Sequence, residues 1–301
     1  MIIGNKDFDL KNECYIMGIL NVTPDSFSDG GKWNSVDAAL KHTEMMISDG
    51  CDIIDIGGES TRPGHVQISD EEEIERVAPV IEAVKNNFDV PVSLDTYKSR
   101  VAAAGINAGA DMINDIWALQ YELLNEKNNE NSDEKSSLSP MGRLIAESGV
   151  PCVLMHNRVK ATYTDFLKDV ENDLIRCVDA AIGAGIDRDK IILDPGIGFG
   201  KTYEQNLQLM NDLQIMNNIY AGECRSEENG PSEGFPWLLG TSRKSMIGLA
   251  LDLPADERLE GTLVTTVLGV MAGCSIIRVH DVKENLRAVR MTQAILGSGN
   301  K

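Results

Sequence analysis

The chain has no Cys-x-x-Cys pair; its six cysteines, Cys14, Cys51, Cys152, Cys177, Cys224 and Cys274, are scattered. That spacing argues against a zinc knuckle and against a disulfide framework, and it suits a reducing cytoplasm. Basic residues are scarce beside acidic ones, 28 Lys and Arg against 47 Asp and Glu, for a formal charge of -19. A field of that sign repels a polyphosphate chain and makes nucleic acid a poor partner. A small anion is not excluded, because a few local cations or a metal ion reverse the potential inside one cleft. No run approaches the ~18 consecutive apolar residues of a membrane span. The first ten residues carry Lys6, Asp7 and Asp9 where a signal peptide needs an apolar core. No internal repeat of roughly 20 to 50 residues is present beyond a strand-helix alternation.

The 301 residues, 42% hydrophobic and 25% charged, suit one large globular domain. Short apolar runs bounded by Gly, Pro or Asp recur along it, and eight of them read as buried parallel strands: 15–21, 52–57, 91–96, 112–116, 151–156, 191–195, 237–241 and 275–280. Between them the apolar spacing turns helical, as at Val36, Ala39, Leu40, Thr43, Met46 and Ile47. The shortest interval, between the third and fourth strands, still holds a helix over 98–107. Alternation of this kind predicts a parallel sheet with right-handed crossovers, and eight such units close into a (β/α)8 TIM barrel, a single domain over 1–301. A doubly wound open sheet is the structural competitor. Two polar segments, 122–139 and 221–234, read as solvated insertions rather than linkers.

Almost every proposed strand ends in a polar residue or leads into a polar loop. The residues are Asn21, Glu59 to Arg62, Asp95, Asn114 and Asp115, His156 and Asn157, Asp194, Thr241 to Lys244, and Arg278 with His280. One such residue is an ordinary strand-end cap. In a barrel, a set drawn from all eight strands gathers at the C-terminal rim, where it can bind a flat polar heterocycle and an anionic leaving group. The loop 21–31, N-V-T-P-D-S-F-S-D-G-G, is longer than a turn needs and suits a lid. The run Gly200-Lys201-Thr202 is not a phosphate loop, because the Gly that motif needs at position 195 is Pro. The helix starting near Ser245 offers free N–H groups to an anion.

The motifs N-V-T-P-D-S-F-S-D-G-G at 21–31, D-I-G-G-E-S-T-R-P-G at 55–64, S-L-D-T at 93–96 and I-N-D-I at 113–116 resemble dihydropteroate synthase. Segments 154–156, 193–201, 242–248 and 278–282 continue the resemblance in order. It implies a cytoplasmic homodimeric barrel enzyme and sulfonamide target that condenses (7,8-dihydropterin-6-yl)methyl diphosphate with 4-aminobenzoate, with Mg²⁺ as cofactor. It further implies Asp95, Asp194, Lys244, Arg278 and His280 as catalytic, and Asp95, Asn114, Asp194, Lys244 and Arg278 around the pterin, with Arg278 across its face. Asn21, Thr61, Arg62, Arg278 and His280 would surround the diphosphate, Asn21 also ligating the metal, and Phe27, Pro63, Phe199, Lys244 and Ser245 would take 4-aminobenzoate. Asn157 departs from the family pattern. The chemistry suits such groups: ionisation of the methylene-oxygen bond gives a cation delocalised over the pterin, which fixed carboxylates stabilise. No Ser-His-Asp or Cys-His nucleophile pair is evident or required. A pterin-binding methyltransferase domain and a non-catalytic pterin-binding barrel are the alternatives.

Overall fold

The computed structural model describes residues 1–23, 32–60, 66–127, 139–220 and 234–298. Eight parallel strands follow one another around a barrel: β1 Tyr15–Asn21, β2 Ile53–Gly57, β3 Val92–Asp95, β4 Met112–Asp115, β5 Cys152–Met155, β6 Ile191–Asp194, β7 Leu238–Leu239 and β8 Ile276–Val279. Each pairs with its neighbours in sequence, and β8 returns to β1. The ring closes between β6 and β7 through the parallel bridge Leu193–Trp237, with Leu193 N–H donating to Pro236 O at 3.0 Å. This is the (β/α)8 barrel that the alternation predicts; the open sheet is excluded. The seventh strand is only two residues long, squeezed between Pro236, which cannot donate to a ladder, and Gly240.

Side chains alternate across each strand. Outward residues such as Ile16, Leu20, Ile54, Leu94, Ile113, Leu154, Leu193 and Ile277 pack under the helices. Inward residues Met17, Ile53, Met112, Val153, Ile192, Leu238 and Ile276 form an apolar floor. Ile3, Phe8 and Leu10 complete that floor from the N-terminus, where Ile2–Ile3 and Lys6–Asp7 form a small antiparallel hairpin across the barrel bottom. The sequence reading does not include this hairpin, because two-residue strands have no period to detect. One step above the floor, on the same inward positions, the barrel becomes polar: Asp55, Ser93, Asp95, Asn114, Asp194 and Arg278. A packed apolar base thus fixes the height of a polar layer at the C-terminal mouth.

The helices start where local chemistry allows. Ser69 caps Asp70–Asn87 by accepting from Glu72 N–H, and four acidic residues fill the first turn, favourable to the helix dipole. Both ends of the polar segment 122–139 are tied to the barrel's helices. Tyr121–Lys127 is helical, Glu122 accepts from Ser99 N–H at 2.8 Å, and Ser139 caps Pro140–Ser148. The rest of that segment, and 221–233, lie outside the described residues. Among the described residues no helix is long and apolar enough to cross a membrane.

Candidate active site

The polar layer is a network of opposed charges. Arg278 Nε donates to Asp55 Oδ2 and Nη2 donates to Asp95 Oδ2, each at 2.6 Å. Asn114 Nδ2 donates to Asp55 Oδ2 at 3.3 Å, and Asp194 Oδ1 accepts from Gly196 N–H at 2.7 Å. Lys244 donates to Ile197 O, its ammonium 4.6 Å from the centre of the Phe199 ring. Burial pushes Asp95 up to about 7, against the pull of Arg278, and raises Asp194 against Lys244. Burial lowers Lys244 to about 8, with Asp194 resisting. Burial also opposes the charge on Arg278, but Asp55 and Asp95 outweigh it and raise its pKa.

Three buried oxygens here, Asp55 Oδ1, Ser93 Oγ and Asp95 Oδ1, have no hydrogen-bond partner among the described residues. Each such orphan costs roughly 1–3 kcal/mol. Carboxylates only accept. Such a layer suits a ligand edge rich in N–H donors, as a flat amino-heterocycle presents.

The structure brings Asp95, Asn114, Asp194, Lys244 and Arg278 together at the mouth. Asn21 ends β1 on the same side of the strand as Met17 and is half-buried. Ser245 is exposed at the start of the helix Ser245–Leu251. Phe199 is half-buried against the cluster of Tyr97, Ile116 and Met155. His280 follows β8, its N–H donating to Ser242 Oγ at 3.2 Å and its Nδ1 2.9 Å from the same hydroxyl. Phe27, Thr61, Arg62 and Pro63, with most of the loop 21–31, lie outside the described residues.

Four rim residues face elsewhere. Asp115 accepts from Trp117 N–H at 2.8 Å and Leu119 N–H at 2.7 Å, holding a turn in which Ala118 and Leu119 have positive φ. Arg243 pairs with Asp281. His156 bonds Asp173 and Lys201 beneath the segment 195–201, and Asn157 donates to Ile116 O at 3.1 Å.

Two groups stand outside the site residues expected from the sequence, although Asp55 opens the motif at 55–64. Asp55 sits in the middle of I-I-D-I-G, fully buried, as the anchor of Arg278 and Asn114. Lys98, also buried, places its ammonium 2.7 Å from Glu59 Oε2, 2.8 Å from Glu73 Oε2 and 2.8 Å from Ile68 O. Ile68 N–H donates to Glu59 Oε2 at 2.9 Å, and Tyr97 donates to Glu59 Oε1. One buried ion cluster thus ties Glu59 to Ile68, across the stretch that contains Thr61, Arg62 and Pro63. An acidic residue inside an apolar strand signals Asp55; no local pattern links Lys98 to Glu59.

Among the described residues no three or more His, Cys, Asp or Glu converge as a metal site. Asn21 offers one neutral oxygen, a donor of the kind that would fit Mg²⁺.

The pterin binding enzyme family matches residues 17–280. A dihydropteroate synthase of Clostridium beijerinckii is 52% identical, over 98% of this chain and 99% of its own length. The Clostridium difficile dihydropteroate synthase, solved in the presence of pteroic acid, superposes with a TM-score of 0.84 at 42% identity, covering 96% of this chain and 99% of that one. The Xanthomonas albilineans enzyme in complex with 7,8-dihydropteroate gives 0.78 at 35% identity, covering 95% and 94%.

Proposed function

This chain belongs to the dihydropteroate synthases of the pterin-binding enzyme family, and we propose how its barrel mouth carries out their reaction. It is a transferase of folate biosynthesis that forms 7,8-dihydropteroate. The observation that carries the residue roles is the orphaned set of acceptors at Asp55, Ser93 and Asp95, beside Asp194 and between two cations. A dihydropterin carries N–H donors along its ring edge, and Asp95, Asn114 and Asp194 receive them. Arg278, anchored by Asp55 and Asp95, covers the ring face.

The pterin substrate is activated as its methyl diphosphate. The bond between methylene carbon and oxygen breaks, the electron pair leaves with diphosphate, and the cation spreads over the pterin. Asp95 and Asp194, fixed in a poorly hydrated layer, stabilise that cation without reorganising. The neutral amine of 4-aminobenzoate then forms the carbon-nitrogen bond and gives up one proton to solvent or diphosphate. Thr61, Arg62, Arg278 and His280 receive the diphosphate; Asn21 is the residue that would hold Mg²⁺, which would supply charge neutralisation there. Phe27, Pro63, Phe199, Lys244 and Ser245 hold 4-aminobenzoate.

A homodimer is the assembly we assign. Val264, Leu268 and Met271 lie along one side of the helix Leu259–Met271, and Met291, Ile295 and Leu296 lie on the neighbouring Val282–Ser298. All six are exposed large apolar side chains, the kind of surface that a partner covers.

The experiment is diphosphate release from the pterin substrate with and without 4-aminobenzoate, with the product identified by mass. Release that needs 4-aminobenzoate and yields dihydropteroate supports the reading. Methyl transfer instead, or pterin binding without turnover, overturns it.

A further inference from the structure

The segment 195–201 folds back on the end of β5 in a shape that only glycine permits. Gly196, Gly198 and Gly200 have φ of +68°, +86° and +56°. A Cβ on Gly196 would lie 1.9 Å from His156 O, and one on Gly200 2.5 Å from Arg158 O. Such a turn aims carbonyls at its own interior, where each needs a donor. Lys201 supplies it: its ammonium donates to Gly196 O at 2.8 Å, to Phe199 O at 3.1 Å and to His156 Nδ1 at 2.8 Å. Burial lowers Lys201 to about 7, with Asp194 resisting, and in its charged form three protons meet three acceptors. The Gly-Lys-Thr run that imitates a phosphate loop therefore has its lysine turned inward.

The Asp173 carboxylate, an acceptor only, fixes the tautomer of His156 and leaves Nδ1 to accept from Lys201. The ring proton sits on Nε2, which donates to Asp173 Oδ2 at 3.0 Å, and that oxygen also accepts from Arg158 Nε at 2.6 Å. Burial, reinforced by the charge of Lys201, pushes His156 down to about 4 and keeps the ring neutral. Burial opposes the charge on Asp173, but the bonds from His156 and Arg158 prevail and hold it well below the usual carboxylate range. On its other side the turn meets Lys244, which donates to Ile197 O and lies against the Phe199 ring.

We propose that Lys201, seated on the His156–Asp173 pair, is a positioning residue that shapes the turn 195–201 and so places Phe199 and Lys244 for 4-aminobenzoate. The proposal rests on the assignment of those two residues to the 4-aminobenzoate pocket. Lys201 touches no substrate. Its effect passes through two carbonyls to Phe199 and, through Ile197, to the Lys244 ammonium. The pterin groups on β2, β3 and β4 are built independently of it, and the turn reaches the pterin edge only through Gly196 N–H, which donates to Asp194 Oδ1 at 2.7 Å.

The test is steady-state kinetics of Lys201→Met, which keeps length and removes every donor, together with Asp173→Asn, which weakens the seat two bonds further out. Lys201→Met should raise KM for 4-aminobenzoate by about tenfold or more and KM for the pterin diphosphate, which meets the turn only through Asp194, by several-fold less. Asp173→Asn should move the same constant in the same direction by less. Should Lys201→Met fail to fold, Asp173→Asn alone decides by the same split. A merely structural role lowers the active fraction and kcat without separating the two KM values; that result, or equal rises in both, overturns the proposal. Wild-type protein assayed in parallel keeps the two readings apart. Lack of 4-aminobenzoate-dependent product from it overturns the assigned reaction, whereas normal wild-type turnover without the split in the variants overturns only the clamp.

Discussion

Gly196→Ala tests whether the backbone of the turn 195–201 is as constrained as its geometry demands. Two costs add. An L-residue held in the left-handed region loses roughly 1–2 kcal/mol. The new methyl would stand 1.9 Å from His156 O, where ordinary contact begins near 3.4 Å, so the turn must retreat by more than an ångström. That retreat breaks at least one bond from the Lys201 ammonium, a charged donor whose loss costs about 1.5–3 kcal/mol. The sum is about 2.5–5 kcal/mol, or a fall in Tm of roughly 5–20 °C at the 2–4 °C per kcal/mol typical of large domains. The control is Gly183→Ala at the end of the helix Phe166–Gly183, where an added Cβ meets nothing within 4 Å. Replacing a helical Gly there should gain roughly 0.5–1 kcal/mol. Thermal unfolding of both variants by circular dichroism gives the answer. A Gly196→Ala protein melting within about 2 °C of wild type would refute the reasoning, as would a Gly183→Ala loss of similar size.

Asp95→Asn and Asp194→Asn should each cut kcat by about a hundredfold or more with the circular dichroism spectrum unchanged; near-normal turnover in either removes that carboxylate from the mechanism. Burial raises Asp95 to about 7, so the folded state favours its protonated form and the stability this gives is lost as pH rises through that value. The Tm of Asp95→Asn relative to wild type should therefore be more favourable at pH 8 than at pH 5, and kcat/KM of the wild type should fall below pH 7; a flat difference or a flat profile contradicts this. Lys98→Met leaves Glu59 and Glu73 buried without their cation and should destabilise by about 3–5 kcal/mol, read by denaturant unfolding; a loss under about 1 kcal/mol would show the cluster to be hydrated. Replacing residues 128–138 with a short Gly-Ser linker should leave turnover within a few fold, because Glu122 and Ser139, which make the structural contacts at either side, are retained; a soluble but inactive protein would show that the segment supports the site.

The strands were legible because a parallel barrel buries both faces of each one, and unbroken apolar runs between Gly, Pro and Asp mark where that happens. What the sequence reading did not use was parity. In β5, Met155 stands opposite Asp194 of β6 and His156 comes one residue later. Asp95 stands opposite Asn114, leaving Thr96 and Asp115 on the other phase. Numbered outward from the apolar floor at Met17, Ile53, Met112, Val153, Ile192 and Ile276, the residues Asn21, Asp55, Asn114, Asp194 and Arg278 all fall on the inward phase. Asp115 and His156 fall on the outward one. Applied strictly, the period of two would have separated the residues that line the mouth from the two that brace it from behind, and it would have added Asp55. It could not have found Lys98 with Glu59, or Lys201 with His156 and Asp173. Those contacts join loops to helices, where no period carries side-chain direction, and the ammonium of each lysine settles wherever three acceptors converge.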